Sequence, residues 1–478
     1  MDIHHEPKND ADSLKKRIRH VFWLYFVMFA CFSAYLIKFV ASDSRYIVEH
    51  TSNPRPRNFT DDDIRRGDIV DANGEILAVS VKDSEKYNRE YPFGETFAHI
   101  VGFDTFGRSG AESRYNLTLQ TLDGEIMQRV NGVFSGAPLQ GLGIALTVDA
   151  GLQEMAFNGL SGYRGAAVVM EPSTGKILAM ASAPSFDPNE ISSSWDSLVT
   201  DDERSPLLNR AAQGLYPPGS IFKIVTSAAA FEFDPNIESF SYNCEGSAVF
   251  GAKRIRCFNS TAHGDVDIAR AMAVSCNTFY STIGVNIGAE NMRAVAERLL
   301  FNAYYPAPFP LSRSSFALDA DSEISEIVET SIGQGKTLIT PLHAAVITSA
   351  VANGGVMMEP YIVDHAFTKN GKIKDKRLPT AMARAFTLEE TAFLTDIMIG
   401  VVENGSGKGA AIDGVRIAAK TGTAENSSGG DHGWFTAFAP AEKPCVVVTV
   451  IMENAENTAR AQALARDIIQ YSLNNFDN

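Results

Sequence analysis

The stretch LYPPGSIFKIVTS at residues 215–227 decides how the rest of the chain is interpreted. Two prolines and a glycine end the segment before it, and the apolar, alanine-rich run at 221–233 is typical of a buried helix. Proline is tolerated in a first helical turn, because its missing N–H would have no partner there. The pattern therefore predicts Ser220 in the first turn, with Lys223 three residues later on the same face of the helix.

This spacing predicts an amine within reach of a hydroxyl. A serine hydroxyl is a weak nucleophile that needs an adjacent base, and a lysine amine becomes a base only when burial or a neighbouring cation lowers its pKa. Two other Ser-x-x-Lys matches, Ser13 with Lys16 in a charged N-terminal tail and Ser173 with Lys176 in a predicted turn, are interpreted as non-catalytic. The motif alone therefore does not identify the chemistry.

Two further short motifs complete the set. Ser275-Cys276-Asn277 begins an apolar helical stretch within a predicted helical region at 268–300, where the Ser275 hydroxyl can pass a proton and the Asn277 amide can bridge the lysine to a substrate. Lys420-Thr421-Gly422-Thr423 contains the only Lys-Thr-Gly of the chain and lies on a predicted strand. Gly422 there would let a substrate backbone approach closely. Lys420 could hold a carboxylate or tune the first lysine, and the hydroxyls of Thr421 and Thr423 could bind an anionic terminus.

The order of these three motifs is similar to that of penicillin-binding proteins and serine β-lactamases. The chain resembles class B penicillin-binding proteins in particular, and the resemblance covers nearly its whole length. The stretches that carry it are RRGDIVDANGEILA (65–78), YPFGETFAHIVGF (91–103), GRSGAESRYN (107–116), ALTVDAGLQ (145–153), GAAVVMEPSTGKILAMAS (165–182), PSFDPN (184–189), NRAAQGLYPPGSIFK (209–223), SIGQGKTLITPLHAA (331–345), KTGTAE (420–425) and HGWFTAFAP (432–440).

The resemblance implies a D,D-transpeptidase that cross-links peptidoglycan stem peptides and is inhibited by β-lactams. Carried over by motif, Ser220 would attack the carbonyl between two terminal D-alanines, with Lys223 as the base and Ser275 relaying the proton. The N–H groups of Ser220 and Thr423 would form the oxyanion hole. Thr421 and Thr423 would hold the terminal carboxylate of the donor beside Lys420. The expected partners are a polytopic membrane glycosyltransferase and division or elongation proteins.

Three alternatives share the same motifs. A D,D-carboxypeptidase would use water as the acceptor, a β-lactamase would turn β-lactams over, and a non-enzymatic penicillin sensor or assembly scaffold would only bind them. A class A β-lactamase carries a glutamate-led loop for deacylation, and no Glu-x-x-Leu-Asn segment follows Asn277. Slow deacylation is therefore expected.

The fold class expected is α+β. The apolar hairpin at 165–183 and the strands of the last hundred residues suit one central antiparallel sheet covered by helices, as in transpeptidases and serine β-lactamases. We expect a cytoplasmic tail (1–20), a transmembrane anchor (21–41), an N-terminal non-catalytic module (42–150) with a polar linker at 42–62, and a transpeptidase domain (151–478).

The anchor is predicted from an apolar run at 21–40 whose single charge, Lys38, lies near its end. Twenty helical residues span a bilayer core. Because Lys15, Lys16, Arg17 and Arg19 precede the run, the N-terminus should be cytoplasmic and the rest extracytoplasmic in a single-pass bacterial membrane protein. A buried helix of a soluble protein is the alternative.

Composition limits the function classes. The chain has 478 residues, 45% hydrophobic, and a net charge of −15, which disfavours nucleic-acid binding. No cofactor is expected. The nine histidines never fall at metal-ligand spacing and Cys276 is interpreted as a packed thiol, so no metal site is expected. Cys244 and Cys257 bracket a short hydrophilic stretch and are predicted to form a disulfide, two free thiols being the alternative.

Several other positions are weaker candidates. Gly333-Gln334-Gly335 is similar to a family signature near the active site, a plain turn being the alternative. The glycine-rich segment 405–409 is interpreted as a flexible loop. His432 and Trp434 follow Lys-Thr-Gly on the next strand, where they would either line the cleft or pack in the core.

Overall fold

The computed structural model describes residues 9–38, 64–83, 86–121, 139–425, 429–455 and 457–476. Two compact units divide the chain, Met1–Asn58 and Phe59–Asn478. The first contains the helix Asn9–Lys38, of which Lys15–Leu36 is long and apolar enough to cross a membrane, with a mean hydropathy of 1.3. This helix includes residues 21–38 of the predicted anchor at 21–41. The predicted linker at 42–62 and the last three residues of the anchor lie outside the described residues.

The second unit mixes strands and helices, which confirms the predicted α+β class. The strands are β1 (Ile64–Arg65), β2 (Ile69–Val70), β3 (Ile76–Asp83), β4 (Lys86–Glu90), β5 (Leu139–Gln140), β6 (Gly143–Leu146), β7 (Gly165–Met170), β8 (Ile177–Ala183), β9 (Tyr242–Cys244), β10 (Ser247–Phe250), β11 (Lys253–Arg256), β12 (Gly264–Val266), β13 (Val356–Met358), β14 (Val363–Phe367), β15 (Ile373–Lys374), β16 (Ala381–Arg384), β17 (Ala418–Ala424), β18 (His432–Ala439) and β19 (Val446–Met452). With Asn9–Lys38 as α1, the helices are α2 (Ala98–Val101), α3 (Gly110–Arg114), α4 (Asn116–Gln120), α5 (Ala150–Gly159), α6 (Ile191–Thr200), α7 (Arg210–Gln213), α8 (Lys223–Phe233), α9 (Ile268–Ala273), α10 (Asn277–Ile287), α11 (Ala289–Arg298), α12 (Ile324–Ser331), α13 (Pro341–Ala352), α14 (Leu388–Asn404) and α15 (Ala459–Phe476).

A five-stranded antiparallel sheet is the centre of this unit. Its strand order is β17-β18-β19-β7-β8. The hairpin β7–β8 joins the three late strands through the antiparallel pairing of β7 with β19. All residues of β7, β18 and β19 are buried, because helices cover both faces of the sheet. The predicted single sheet covered by helices is thus confirmed.

The two faces of the sheet pack on different helices. On one face, Leu152 of α5 and Ile468 of α15 join a core with alternate sheet residues such as Val448. On the other face, the almost completely buried helix α13 packs against residues such as Val447 and Trp434. This alternation follows from the two-residue period of strands. Packing on both faces fixes the position of β17, the edge strand of the sheet that carries Lys-Thr-Gly.

A six-stranded sheet carries the N-terminal motifs, in the order β15-β14-β6-β2-β3-β4. The predicted Asn-Gly hairpin is present, with β2 antiparallel to β3 and Gly74 at a φ of 89°. Strands β14 and β15, which lie more than two hundred residues later in the chain, join the same sheet. The predicted module boundary at residue 150 therefore stays a prediction, because this sheet draws strands from both sides of it.

A buried ion-pair network ties two N-terminal motifs together. Arg66 Nη2 lies 2.6 Å from Glu112 Oε2, and Arg89 Nε lies 2.6 Å from Glu112 Oε1. Arg66 also donates to Asn116 Oδ1 at 2.7 Å. Burial alone would raise the pKa of Glu112, but the two guanidinium groups outweigh it and lower the pKa of this carboxyl.

Candidate active site

A cavity of about 630 Å³ brings the three predicted motifs together. Ser220, Ser275, Asn277, Thr421 and Thr423 all line it. These residues come from the turn directly before α8, the junction of α9 and α10, and the edge strand β17. The meeting of three distant segments at one cavity is the arrangement that the motifs required.

Ser220 lies on a short 3₁₀ turn, Gly219–Phe222, directly before α8. Gly219 has a φ of 53°, and its N–H donates to the carbonyl oxygen of Gly333 at 2.8 Å. A Cβ on Gly219 would lie 2.6 Å from the carbonyl oxygen of Thr423. The turn therefore lies between the backbones of Gly333 and Thr423. The predicted first α-helical turn is a 3₁₀ turn in the structure.

The two lysines meet at one hydroxyl. Lys223 Nζ donates to the Ser275 hydroxyl at 3.1 Å, to the Ser275 carbonyl oxygen at 2.9 Å and to Asn277 Oδ1 at 2.7 Å. Lys420 Nζ donates to the same Ser275 hydroxyl at 3.0 Å and to the Thr421 carbonyl oxygen at 2.8 Å. The hydrogen bonds of the Lys223 amine run to Ser275 and Asn277, so its direct contact with the Ser220 hydroxyl stays a prediction.

Burial lowers the pKa of both lysine amines. Desolvation lowers the pKa of Lys223 from 10.5 to about 7, and the nearby thiols of Cys276 and Cys257 oppose this only in part. Burial, and then the charge of Lys223, lower the pKa of Lys420 as well. Both side chains are completely buried. An amine near neutrality can accept a proton from a hydroxyl at physiological pH.

Ser275 interrupts the helical region that the sequence predicts at 268–300. Its φ is 56°, in the left-handed region, which separates α9 from α10. Such a conformation costs about 1–3 kcal/mol for a residue with a Cβ and recurs at functional sites. The predicted helical region is thus present as three separate helices, with Asn277 at the start of α10 as expected, and the break turns the Ser275 hydroxyl towards both lysines.

Gly422 lies close to the turn that carries Ser220, and the approach of a substrate backbone at Gly422 stays a prediction. A Cβ at this position would lie 3.0 Å from the Ile221 side chain and 3.2 Å from its backbone nitrogen. The close approach is thus that of the turn carrying Ser220, and β17 can pack flat against it. Thr421 beside it shares a hydrogen bond of 2.6 Å with the Ser406 hydroxyl.

Two sequence interpretations around the cavity were incomplete. Ser406 lines the cavity although it lies in the predicted flexible loop, and its N–H donates to the Ala273 carbonyl oxygen at 3.0 Å. No local motif marks this serine; only its glycine neighbours point to a special backbone. Gln334 lines the cavity too, in support of the 333–335 signature.

His432 and Trp434 pack beneath the site and are absent from the described cavity lining. Trp434 is fully buried and donates its indole N–H to the Pro217 carbonyl oxygen at 3.0 Å. His432 Nδ1 accepts from the Asn454 N–H at 3.2 Å, and burial lowers its pKa. Their contribution is to support the proline turn that precedes Ser220.

The predicted disulfide is wrong, because Cys244 and Cys257 are free thiols. Their sulfurs are 3.6 Å apart, and each also faces another group: Cys257 Sγ is 3.8 Å from Cys276 Sγ, and Cys244 Sγ is 3.4 Å from His263 Nδ1. The pair is therefore part of a four-residue cluster directly behind the Ser275 motif.

Comparison with known proteins places this site in a family. The profile of the penicillin binding protein transpeptidase domain matches residues 165–470, and that of the penicillin binding protein A dimerisation domain matches residues 66–144. A curated relative, the peptidoglycan D,D-transpeptidase PbpA of Mycolicibacterium smegmatis, is 34% identical over 432 residues, which cover 84% of this chain and 87% of the relative. PbpA of Mycobacterium tuberculosis is 32% identical over 452 residues, covering 86% and 89%.

Solved structures agree with these relatives. The D,D-transpeptidase domain of a peptidoglycan glycosyltransferase from Eggerthella lenta is 34% identical, with a TM-score of 0.79, and the match covers 86% of this chain and 99% of that one. The imipenem acyl-enzyme complex of penicillin-binding protein A from M. tuberculosis is 30% identical, with a TM-score of 0.80 and the same coverage. This chain belongs to the penicillin-binding protein transpeptidase family and, as its motifs predict, to class B.

Proposed function

We propose that the chain is a peptidoglycan D,D-transpeptidase that works through an acyl-enzyme on Ser220. One observation carries the proposal: two buried amines, Lys223 and Lys420, converge on the Ser275 hydroxyl at the wall of the cavity that Ser220 also lines. The names of the relatives, peptidoglycan D,D-transpeptidases, support the same reaction.

Acylation would begin when neutral Lys223 takes the proton of the Ser220 hydroxyl. The serine oxygen then forms a bond to the carbonyl carbon between the two terminal D-alanines, while the N–H groups of Ser220 and Thr423 stabilise the oxyanion. Each such donor contributes on the order of 10²–10³ in rate. The C–N bond breaks as the leaving amine receives a proton through the Ser275 hydroxyl, and D-alanine departs.

Charged groups would orient the donor peptide. With substrate bound, a protonated Lys420 supplies positive charge beside the hydroxyls of Thr421 and Thr423, where the terminal carboxylate of the donor is placed. In the second half-reaction, an amine from a neighbouring stem peptide attacks the acyl carbon and regenerates the Ser220 hydroxyl. A β-lactam would acylate the same serine, and we propose that the acyl-enzyme deacylates slowly.

We further propose a single-pass topology with the catalytic domain outside the cytoplasmic membrane. The apolar helix within Asn9–Lys38 and the basic residues at its start support this orientation. A transpeptidase needs newly polymerised glycan strands as substrate, so the expected partners are a polytopic membrane glycosyltransferase and division or elongation proteins.

The decisive experiment is labelling with a fluorescent penicillin, with Ser220→Ala as the test variant. Wild type should bind one equivalent covalently and Ser220→Ala none, at unchanged thermal stability. Ser173→Ala is the matched control, since Ser173 and Lys176 form a Ser-x-x-Lys match away from the cavity. Unlabelled wild type, or a labelled Ser220→Ala, would refute the proposal.

Product analysis separates the related activities. Incubation with a peptidoglycan precursor and a polymerase should give cross-linked dimer together with free D-alanine. Free D-alanine without dimer would instead identify a carboxypeptidase, and steady turnover of a chromogenic cephalosporin a β-lactamase.

A further inference from the structure

We propose that Cys244, Cys257, His263 and Cys276 form a structural metal site of the zinc class behind the active site. One ligand atom from each of these residues lies within 4.8 Å of every other. The sequence predicted no metal site and a packed Cys276, because the histidines do not fall at metal-ligand spacing. The fold nevertheless brings all four together.

Three of the six distances between the ligand atoms match tetrahedral coordination, and the other three are no longer than 4.8 Å. With Zn–S bonds of about 2.3 Å, two sulfurs of a tetrahedron lie about 3.8 Å apart, and with a Zn–N bond of about 2.0 Å, a sulfur and a nitrogen lie about 3.5 Å apart. The Cys244–Cys257 and Cys257–Cys276 sulfur distances are 3.6 and 3.8 Å. Cys244 Sγ is 3.4 Å from His263 Nδ1. These separations are far longer than the S–S bond of about 2.05 Å in a disulfide.

Secondary structure fixes the positions of the four ligands. Cys244 ends β9, and Cys257 follows β11 at the base of the β10–β11 hairpin, where its N–H donates to the Gly246 carbonyl oxygen at 2.9 Å. His263 stands just before β12, and its N–H donates to the Cys244 carbonyl oxygen at 3.1 Å. Cys276 is the residue before α10. Four rigid segments thus present one ligand each, which favours preorganised binding.

The chemistry of the donor set selects the metal. Three thiolates and one imidazole are soft to borderline ligands in a tetrahedral arrangement, which is typical of Zn²⁺. The three cysteines are at most 3% exposed. Four protein ligands leave no open position, so the site is structural and does not activate water. Binding releases three thiol protons and leaves a complex of net charge −1.

A neighbouring hydroxyl completes the surroundings. Thr278 Oγ1 donates to Cys244 Sγ at 3.2 Å, and it lies 3.4 Å from Cys276 Sγ. Hydrogen bonds of this kind to coordinating sulfurs orient ligands and tune metal affinity. Thr278 is itself fully buried.

The site would also position the Ser275 motif, an inference that rests on the proposed function. Cys276 stands between Ser275 and Asn277, the two residues that hold the Lys223 amine. The Asn277 side chain also donates to the Arg256 carbonyl oxygen at 2.8 Å, next to Cys257. A metal bound to Cys257 and Cys276 would fix the positions of Ser275 and Asn277 on either side of Cys276, and of Arg256 beside Cys257. It would thereby support the strained Ser275 backbone.

The test is the metal content of the full-length chain purified in detergent under reducing conditions without chelator. Elemental analysis should find about one zinc per chain in wild type and less than about 0.1 in Cys244→Ser and in His263→Ala. Cys445→Ser is the matched control and should keep about one, since Cys445 lies outside the cluster. Zinc absent from wild type, or equally bound by wild type and Cys244→Ser, would overturn the proposal.

Cobalt provides a readout that does not depend on the variants folding. Adding Co²⁺ to chelator-treated wild type should produce thiolate-to-cobalt charge-transfer absorption and the visible bands of a tetrahedral site, which one equivalent of Zn²⁺ should abolish. Absence of these bands would overturn the site. An intact mass lower by two hydrogens in protein isolated without reductant would also overturn it, since a disulfide would then use two of the ligands.

Penicillin labelling tests the positioning role separately. Chelation should slow acylation by about tenfold, and Zn²⁺ should restore it. Unchanged labelling of metal-free protein would overturn the positioning role while leaving the metal site in place. Bound zinc in a protein that is never labelled would instead refute the proposed function alone.

Discussion

The pH dependence of acylation tests the assignment of Lys223 as the base. Burial lowers the pKa of Lys223 from 10.5 to about 7, a difference equivalent to about 5 kcal/mol between the charged and neutral amine. Only the neutral amine can take the Ser220 proton, so acylation should be slow in acid and reach a plateau above the pKa.

The expected profile follows from the neutral fraction of the amine. With a pKa of about 7, that fraction is about 1% at pH 5, about 10% at pH 6 and half at pH 7, so the rate should rise about tenfold per pH unit and level off above about pH 8. An amine with an ordinary pKa of 10.5 would be neutral in only about one molecule in 3,000 at pH 7. Its rate would still be rising steeply at pH 9.

The assay is the second-order rate of fluorescent-penicillin labelling between pH 5 and 9, with thermal stability followed at each pH. Labelling of Lys223→Met should be about 10²–10⁴-fold slower than that of wild type, and its rate should no longer rise with pH. Lys176→Met is the matched control, because Lys176 makes only a long surface ion pair, 3.9 Å from Asp364.

Three results would refute this reasoning. A rate that is constant from pH 5 to 8 would mean that no group with a pKa near 7 limits acylation. A rate that keeps rising tenfold per unit through pH 9 would mean that the buried amine retains its ordinary pKa. A rapidly labelled Lys223→Met would remove Lys223 from the chemistry altogether.

Two further substitutions test the packing around the site and the N-terminal sheet. Gly333→Ala should slow labelling by at least about tenfold and lower the melting temperature, because a Cβ there would lie 1.9 Å from the Gly219 carbonyl oxygen; Gly371→Ala, at a similar φ of 75° in open space, should cost only about 1–2 kcal/mol and leave labelling intact. Equal effects of the two substitutions on labelling would argue against the close packing of Gly333 on the turn that carries Ser220. Glu112→Gln should lower the free energy of unfolding by about 3–5 kcal/mol in urea titrations. Glu297→Gln, which breaks an exposed pair, should change it by less than about 1 kcal/mol, and similar losses would contradict the buried network.

The stability contributed by Glu112 should also depend on pH. Because the folded state lowers its pKa, this contribution is present above the ordinary carboxyl pKa near 4.5 and is lost as the pH falls through the lower folded value. Wild type should therefore lose stability more steeply in acid than Glu112→Gln does, as measured by thermal melts below pH 5. Parallel pH curves for the two proteins would contradict the network.

Local patterns in the sequence determined the elements that carry the site. The helix after the proline turn was expected at 221–233, and α8 spans Lys223–Phe233. The helix expected at 341–352 is α13, and the strand carrying Lys-Thr-Gly is β17. Such elements follow from apolar periodicity and from proline and glycine, which act over only a few residues. The three motifs of the proposed active site could be recognised because each consists of specific residue types within four consecutive positions.

Tertiary structure alone decided how distant segments meet. The left-handed Ser275, the shared hydrogen bonds of Lys223 and Lys420, the strands β14 and β15 in the N-terminal sheet, and the cluster of three cysteines with His263 all depend on chain topology and sheet register. None of these was predicted from local pattern, because most of them depend on contacts between residues tens to hundreds of positions apart. The chain's local chemistry determined which groups were available, and packing determined which of them face one another.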